Sequence, residues 1–93
     1  MQIDDYICDV LMRDLVGHDR APSAFLVYLY LSFASGNRKA VEISYQELAE
    51  LTGLSKSAVQ AGVRRLVKRK LLTVEKTSVT ATPVYRVEKT WKR

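Results

Sequence analysis

Apolar residues recur along this chain at two different spacings, and the spacing changes twice. Ile3, Ile7, Val10, Leu11 and Leu15 follow one another at steps of three and four, the stripe of an amphipathic helix, with Gly17 placed to end it. A short connection follows, in which Asp19 is a candidate N-cap and Pro22 suits a first helical turn. From Ser23 to Ser35 the chain is apolar on nearly every side (Phe25, Leu26, Val27, Tyr28, Leu29, Tyr30, Leu31, Phe33), and Gly36 closes the run. A helix without a polar face has to be covered on most sides, so this segment is expected at the centre of the fold. Val41-Glu42-Ile43 alternates briefly, as a short strand would.

Two further helices are announced by their first residues. Ser44 and Glu47 have the spacing of a capping box, and the helix they open carries Leu48, Ala49 and Leu51 inward before stopping at Thr52-Gly53. Ser55 caps the next, whose apolar stripe is Val59, Val63, Leu66 and Val67. The period then drops to two. Residues 72–76 and 84–88 alternate as strands, joined by a loop over residues 77–83 too long for a two-residue turn, with Pro83 where a strand tolerates proline. The order is helix, helix, short strand, helix, helix, strand, strand.

With 93 residues, 47% hydrophobic and 27% charged, the pattern describes one compact unit. The longest apolar run, Ala24 to Leu31, has eight residues, against the roughly 20 of a membrane-spanning helix. Asp4 and Asp5 stand where a signal peptide would be basic. Cys8 is the single cysteine, which excludes an internal disulfide and fits a reducing cytoplasm, and with His18 the single histidine no zinc-ligand set can be assembled. The glycines at 17, 36, 53 and 62 are scattered and form no phosphate-cradling loop. No paired acids or nucleophile–base set stands out, so an enzyme is not expected, nor any cofactor or metal.

Charge narrows the partner. Residues 1–50 carry four basic against eight acidic side chains, and residues 51–93 carry eleven basic against two acidic. A basic half on an acidic half points to a polyanion-binding face, with nucleic acid first among candidates. The residues from Leu48 to Leu66 give that face a frame. A small residue at Ala49 lets two helices approach, Gly53 accepts a left-handed turn four residues on, and Val59 closes the angle from the second helix. These are the mechanical needs of a helix–turn–helix, and the hairpin behind it makes the unit winged.

Over about residues 21–88 the sequence resembles the winged helix–turn–helix superfamily of bacterial and phage DNA-binding regulators and replication-protein N-terminal domains. The resemblance rests on the Leu26–Leu31 run, on Ser44, Leu48 and Ala49, on the turn Gly53-Leu54-Ser55, and on Val59, Gly62, Val63 and Leu66. It departs at Lys70, where the family usually has glycine, and at Ala61, where it often has a polar residue. The fold class expected is therefore mainly α with a small β-hairpin wing (α+β), a winged helix–turn–helix with an extra N-terminal helix. Residues 1–17 form that helix, 22–36 the central helix, 44–70 the helix–turn–helix and 71–89 the wing.

With Val59, Val63 and Leu66 inward, Ser57, Ala61, Arg64 and Lys68 face outward and Gln60 lies on their shoulder. Ser57, Gln60 and Arg64 are the candidates for base contact, glutamine suiting adenine and arginine guanine. Ser44, Tyr45, Ser55, Lys56 and Lys68, with Lys76 and Arg86 from the wing, are the candidates for phosphate contact. Tyr85 and Val87 should point inward with Leu72 and Val74. The function expected is sequence-specific binding of double-stranded DNA by a small transcriptional regulator in the cytoplasm, on the nucleoid. A replication or partition role, or a winged helix used for protein contact alone, are the alternatives. The apolar surplus of residues 3–16 and of the central helix (Tyr28, Tyr30, Leu31, Phe33) suggests a homodimer formed through the N-terminal half. Trp91 would cover a core edge, Tyr28, Tyr30 and Tyr45 would pack, His18 would lie in a loop, and Asp14 has no assigned role.

Overall fold

A computed structural model describes residues 5–36, 40–78 and 81–88; Ile3 and Trp91 lie outside the described residues. The N-terminal helix consists of two wide-turn stretches, Ile7–Leu11 and Arg13–His18, that meet at Met12. They are followed by α1 (Pro22–Ser35), β1 (Val41–Glu42), α2 (Tyr45–Thr52), α3 (Lys56–Lys68), β2 (Leu72–Glu75) and β3 (Val84–Val87). The three strands form one antiparallel sheet in the order β1-β3-β2, with Val41 opposite Tyr85 and Val74 opposite Tyr85 from the other side. The mostly helical fold with a small hairpin is the winged helix expected from the residue pattern.

The core gathers around α1. Ala24, Phe25, Val27, Tyr28 and Leu31 are buried against Ile7, Leu11 and Leu15 of the N-terminal helix, Leu48 of α2, Val59, Val63 and Leu66 of α3, and Leu72 and Tyr85 of the sheet. The Tyr28 hydroxyl crosses that core to donate to the Glu88 carbonyl at 3.1 Å. Tyr85 is fully buried on the central strand, and burial together with its neighbour Tyr45 pushes its phenol well above the ordinary tyrosine range. Proline fits just before β3: it has no N–H to give, but the Pro83 carbonyl accepts from the Ile43 N–H at 3.2 Å.

Several expectations at helix ends are corrected. Gly17 does not end the N-terminal helix, which continues through His18; the left-handed residue that turns the chain is Arg20, at φ 53°. His18 is accordingly the last helical residue and not part of a loop. Hydrogen bonds in the N-terminal helix run over five residues, Met12 N–H to Ile7 and Asp19 N–H to Asp14, rather than over four. At 3.6 residues per turn, Asp14 would fall on the apolar stripe, four residues from Val10 and three from Leu11. The wider turn keeps Ile7, Leu11 and Leu15 buried and leaves Asp14 half-buried, 3.7 Å from Arg69. Asp19 caps nothing, since Ala21 holds the N-cap position of α1; both Asp19 carboxylate oxygens accept from Arg69 Nη1, at 2.8 and 2.7 Å.

Two residues assigned inward are outward. Leu51 is 55% exposed and Val67 44%. The buried side of α2 is centred between Leu48 and Ala49, and Leu51 lies roughly 110° from that centre. In α3 the buried side runs through Val59, Gly62, Val63 and Leu66, which sets Val67 about a quarter turn away.

Helix α3 ends in a Schellman motif. The Leu71 N–H reaches the Leu66 carbonyl at 2.9 Å and the Lys70 N–H reaches Val67 at 3.0 Å, while Leu71 packs into the core beside Leu66. Lys70 occupies the left-handed position at φ 60°, where glycine would be unstrained. Lys70→Gly should therefore stabilise the protein by ~0.5–1 kcal/mol and raise Tm by a few degrees. Lys68→Gly, inside the same helix, should cost ~1 kcal/mol. Thermal unfolding of the two variants checks this, and a Tm lowered equally by both would contradict it.

Candidate nucleic-acid interface

The approach of α3 to α1 begins at Gly62. A Cβ placed there would sit 3.2 Å from the Ser23 carbonyl carbon and from the N and Cα of Ala24, so a side chain here would require the two backbones to give by a few tenths of an ångström. At the far end, Arg69 is the C-cap of α3, and its guanidinium is held by Asp19, whose side chain is 7% exposed. These two attachments turn one side of α3 into the core and fix which side is left outside.

The turn into α3 is built from caps. Ser44 accepts from the Glu47 N–H at 3.1 Å and donates to its carboxylate at 3.2 Å, which opens α2. Thr52 donates back to the Leu48 carbonyl at 2.7 Å in the last turn. Gly53 follows in the left-handed conformation, φ 79° and ψ 9°, with its N–H on the Ala49 carbonyl at 2.9 Å. Leu54 packs inward, and Ser55 then accepts from the Ala58 N–H at 3.1 Å to start α3.

Of the base-contact candidates, Ser57 and Arg64 are exposed on the outer side of α3 and Gln60 is half-buried at its edge. Lys68 lies on the same outer side one turn beyond Arg64, and Lys56 is exposed in the first turn. Ser44 and Ser55 are both engaged as caps, and Ser55 Oγ is 3.3 Å from Ser57 Oγ. Tyr45, at the start of α2, is half-buried with its ring tilted 55° against that of Tyr85, a packing contact. Lys76 is exposed just past β2. Arg86 is not a bare cation: its Nε donates to Glu75 at 3.3 Å across the hairpin. That exposed pair contributes little to stability, but it offsets the arginine's charge.

One cation was missed by the residue pattern. Arg65, half-buried, joins Arg64, Lys68 and Ala61 around a shallow concavity on the outer side of α3. Its periodicity put it on neither the core stripe nor the outer stripe, so spacing alone gave it no role. Among the described residues, no group of three or more His, Cys, Asp or Glu is placed to hold a metal ion, and no helix is long and apolar enough to cross a membrane.

A three-stranded sheet carrying a hairpin, behind a helix pair joined by a left-handed glycine turn, is a winged helix–turn–helix. The model of the MarR family matches residues 23–80, from the first turn of α1 into the hairpin. The chain belongs to the MarR family, a winged helix–turn–helix family of DNA-binding regulators. No curated protein and no solved structure matches the chain.

Proposed function

We propose that this protein is a small transcriptional regulator that binds double-stranded DNA sequence-specifically by inserting α3 into the major groove. One observation carries the reading: the side of α3 turned away from α1 presents Ser57, Arg64 and Lys68 together, with Gln60 at its edge. Within the sequence no acidic residue falls between Glu50 and Glu75, so nothing on this helix opposes the phosphate backbone. In the reading, Gln60 and Arg64 read base edges with Ser57. Lys56, Ser55 and the α2 start at Ser44 and Tyr45 meet phosphate on one side, and Lys68 on the other. Lys76 and Arg86 supply the hairpin's share, Arg86 by exchanging Glu75 for a phosphate. The described elements act as a single DNA-binding unit, at work in the cytoplasm on the nucleoid.

With ~4–6 phosphate contacts from Lys56, Lys68, Lys76, Arg86 and their neighbours, log affinity should fall against log salt with a slope of about −4 to −5. Arg64→Ala should cost ~1–3 kcal/mol on a specific site and relax preference at one base position. Lys68→Ala should weaken all sequences alike and make the salt slope shallower by about one. Fluorescence anisotropy against specific and scrambled duplexes over a salt series measures both. Absence of duplex binding at ~50 mM salt would contradict the function, and an Arg64→Ala loss as sequence-blind as that of Lys68→Ala would move Arg64 to the phosphate set.

The reading includes a homodimer, supported by apolar side chains left outside on the acidic half. Tyr28 and Leu31, expected in that patch, are fully buried; Phe33, Leu26, Met12 and Val16 are the ones exposed. Two copies joined there would present their recognition helices to half-sites about one helical turn apart, ~34 Å. Sedimentation equilibrium should give a dimer at ~10 µM, weakened by Phe33→Ser with the fold retained. A folded monomer persisting at ~100 µM would contradict the dimer and leave the DNA reading standing.

A further inference from the structure

The outer side of α3 has an apolar centre. Ala61 is exposed in the middle of it, one turn after Ser57 and one turn before Arg64 and Arg65, with Lys68 a further turn along. It lines the shallow concavity that Arg64, Arg65 and Lys68 share. Every one of those neighbours can form a hydrogen bond to DNA; Ala61 offers a methyl group and nothing else. Alanine, the best helix former, is ordinary on an exposed helix face; what sets Ala61 apart is that it shares one concavity with three cations.

We infer that Ala61 is a specificity-determining residue: its methyl group packs against the 5-methyl of a thymine in the major groove. The inference rests on the proposed insertion of α3 into that groove. Two physical arguments carry it. Among base-pair edges in the major groove, the thymine methyl is the apolar feature, so a methyl on the protein finds its match there and nowhere else on the groove floor. Size gives the second. Alanine is short, so at this position the helix backbone can sit close to the groove floor, while Arg64, Arg65 and Lys68 reach outward around it. The three cations draw the helix in, and the small apolar residue sets how deep it rests and which base lies under its midpoint.

A different occupant of the concavity is a backbone phosphate held by Arg64, Arg65 and Lys68, and the same experiment separates the two. A bound sequence is first selected from a random duplex library, and each thymine is then replaced singly by deoxyuridine, which removes the 5-methyl and leaves base pairing intact. Affinities are measured by anisotropy for the native chain, Ala61→Gly and Ala61→Ser. At one thymine in each half-site the replacement should weaken the native chain about fourfold, the factor expected for one methyl-sized apolar contact. In Ala61→Gly the same replacement should have no effect, and in Ala61→Ser, which disturbs the helix less but keeps Cβ, an effect well below fourfold. Comparing thymine with deoxyuridine within each variant cancels any change in folding stability. Replacements silent at every thymine, or equally costly in all three proteins, would overturn the inference while duplex binding itself upheld the DNA reading. Failure of the selection to recover any bound duplex would overturn both.

Discussion

The close passage of α3 over the start of α1 governs how this protein presents itself. At Gly62 the space that a Cβ would need is taken by the backbone of Ser23 and Ala24, 3.2 Å away. Even an alanine there would require the facing backbone to give by a few tenths of an ångström. Seven residues later, Arg69 ties the end of α3 to Asp19 with both carboxylate oxygens accepting from one guanidinium nitrogen. Val63 and Leu66 fill the length between these two attachments, Val59 lies one turn before them, and all three are buried. With its inner side held at its middle and at its C-terminal end, α3 leaves Ser57, Ala61, Arg64 and Lys68 on the outside.

The same attachments sort the charge. The chain has 15 basic and 10 acidic side chains, but its cations do not all face outward unopposed. Arg69 is held by Asp19, with Asp14 at 3.7 Å, and Arg86 is matched by Glu75. A buried carboxylate such as Asp19 is tolerable because a guanidinium accompanies it, and that pairing also removes a positive charge from the end of α3. Arg64, Arg65 and Lys68 remain grouped around Ala61 on the outer side. Eight of the ten acidic side chains belong to residues 1–50 and none to α3, so no carboxylate of this helix opposes a polyanion on its outer side.

Much of this could be read from local signals in the sequence. Ser44 with Glu47, Ser55 before its helix and Gly53 between them each act on residues within four positions, and each stands in the structure as its spacing implied. The two strands of the hairpin were readable for the same reason, since alternation is local. What was not legible depends on distance or on backbone geometry. Arg69 and Asp19 are fifty residues apart, and nothing near either announces the other, so Asp19 looked like a cap and Asp14 like an anomaly. The wide-turn winding of the N-terminal helix displaces residues by fractions of a turn that a 3.6-residue period does not represent. Leu51 and Val67 failed differently: apolar residues a quarter turn or more from the core axis match a helical stripe in type but not in angle. Lys70 is the instructive departure. Its missing glycine marked a left-handed position, and the chain adopts that position with a lysine. At the candidate interface, the sequence placed the outer stripe of α3 but not Arg65, because its position between the two stripes acquires meaning only beside Arg64 and Lys68 on the folded surface.

The central claim is geometric: the side of α3 that Gly62 and Arg69 leave exposed lies in a DNA major groove. Dimethyl sulfate methylates guanine at N7, in the major groove, and adenine at N3, in the minor groove, so it reports on the two grooves separately. On a selected duplex at saturating protein, the account predicts protection of guanine N7 within each half-site, with protection lost in Arg64→Ala at one guanine. Saturated binding with every guanine N7 still reactive, or with protection confined to adenine N3, would contradict it.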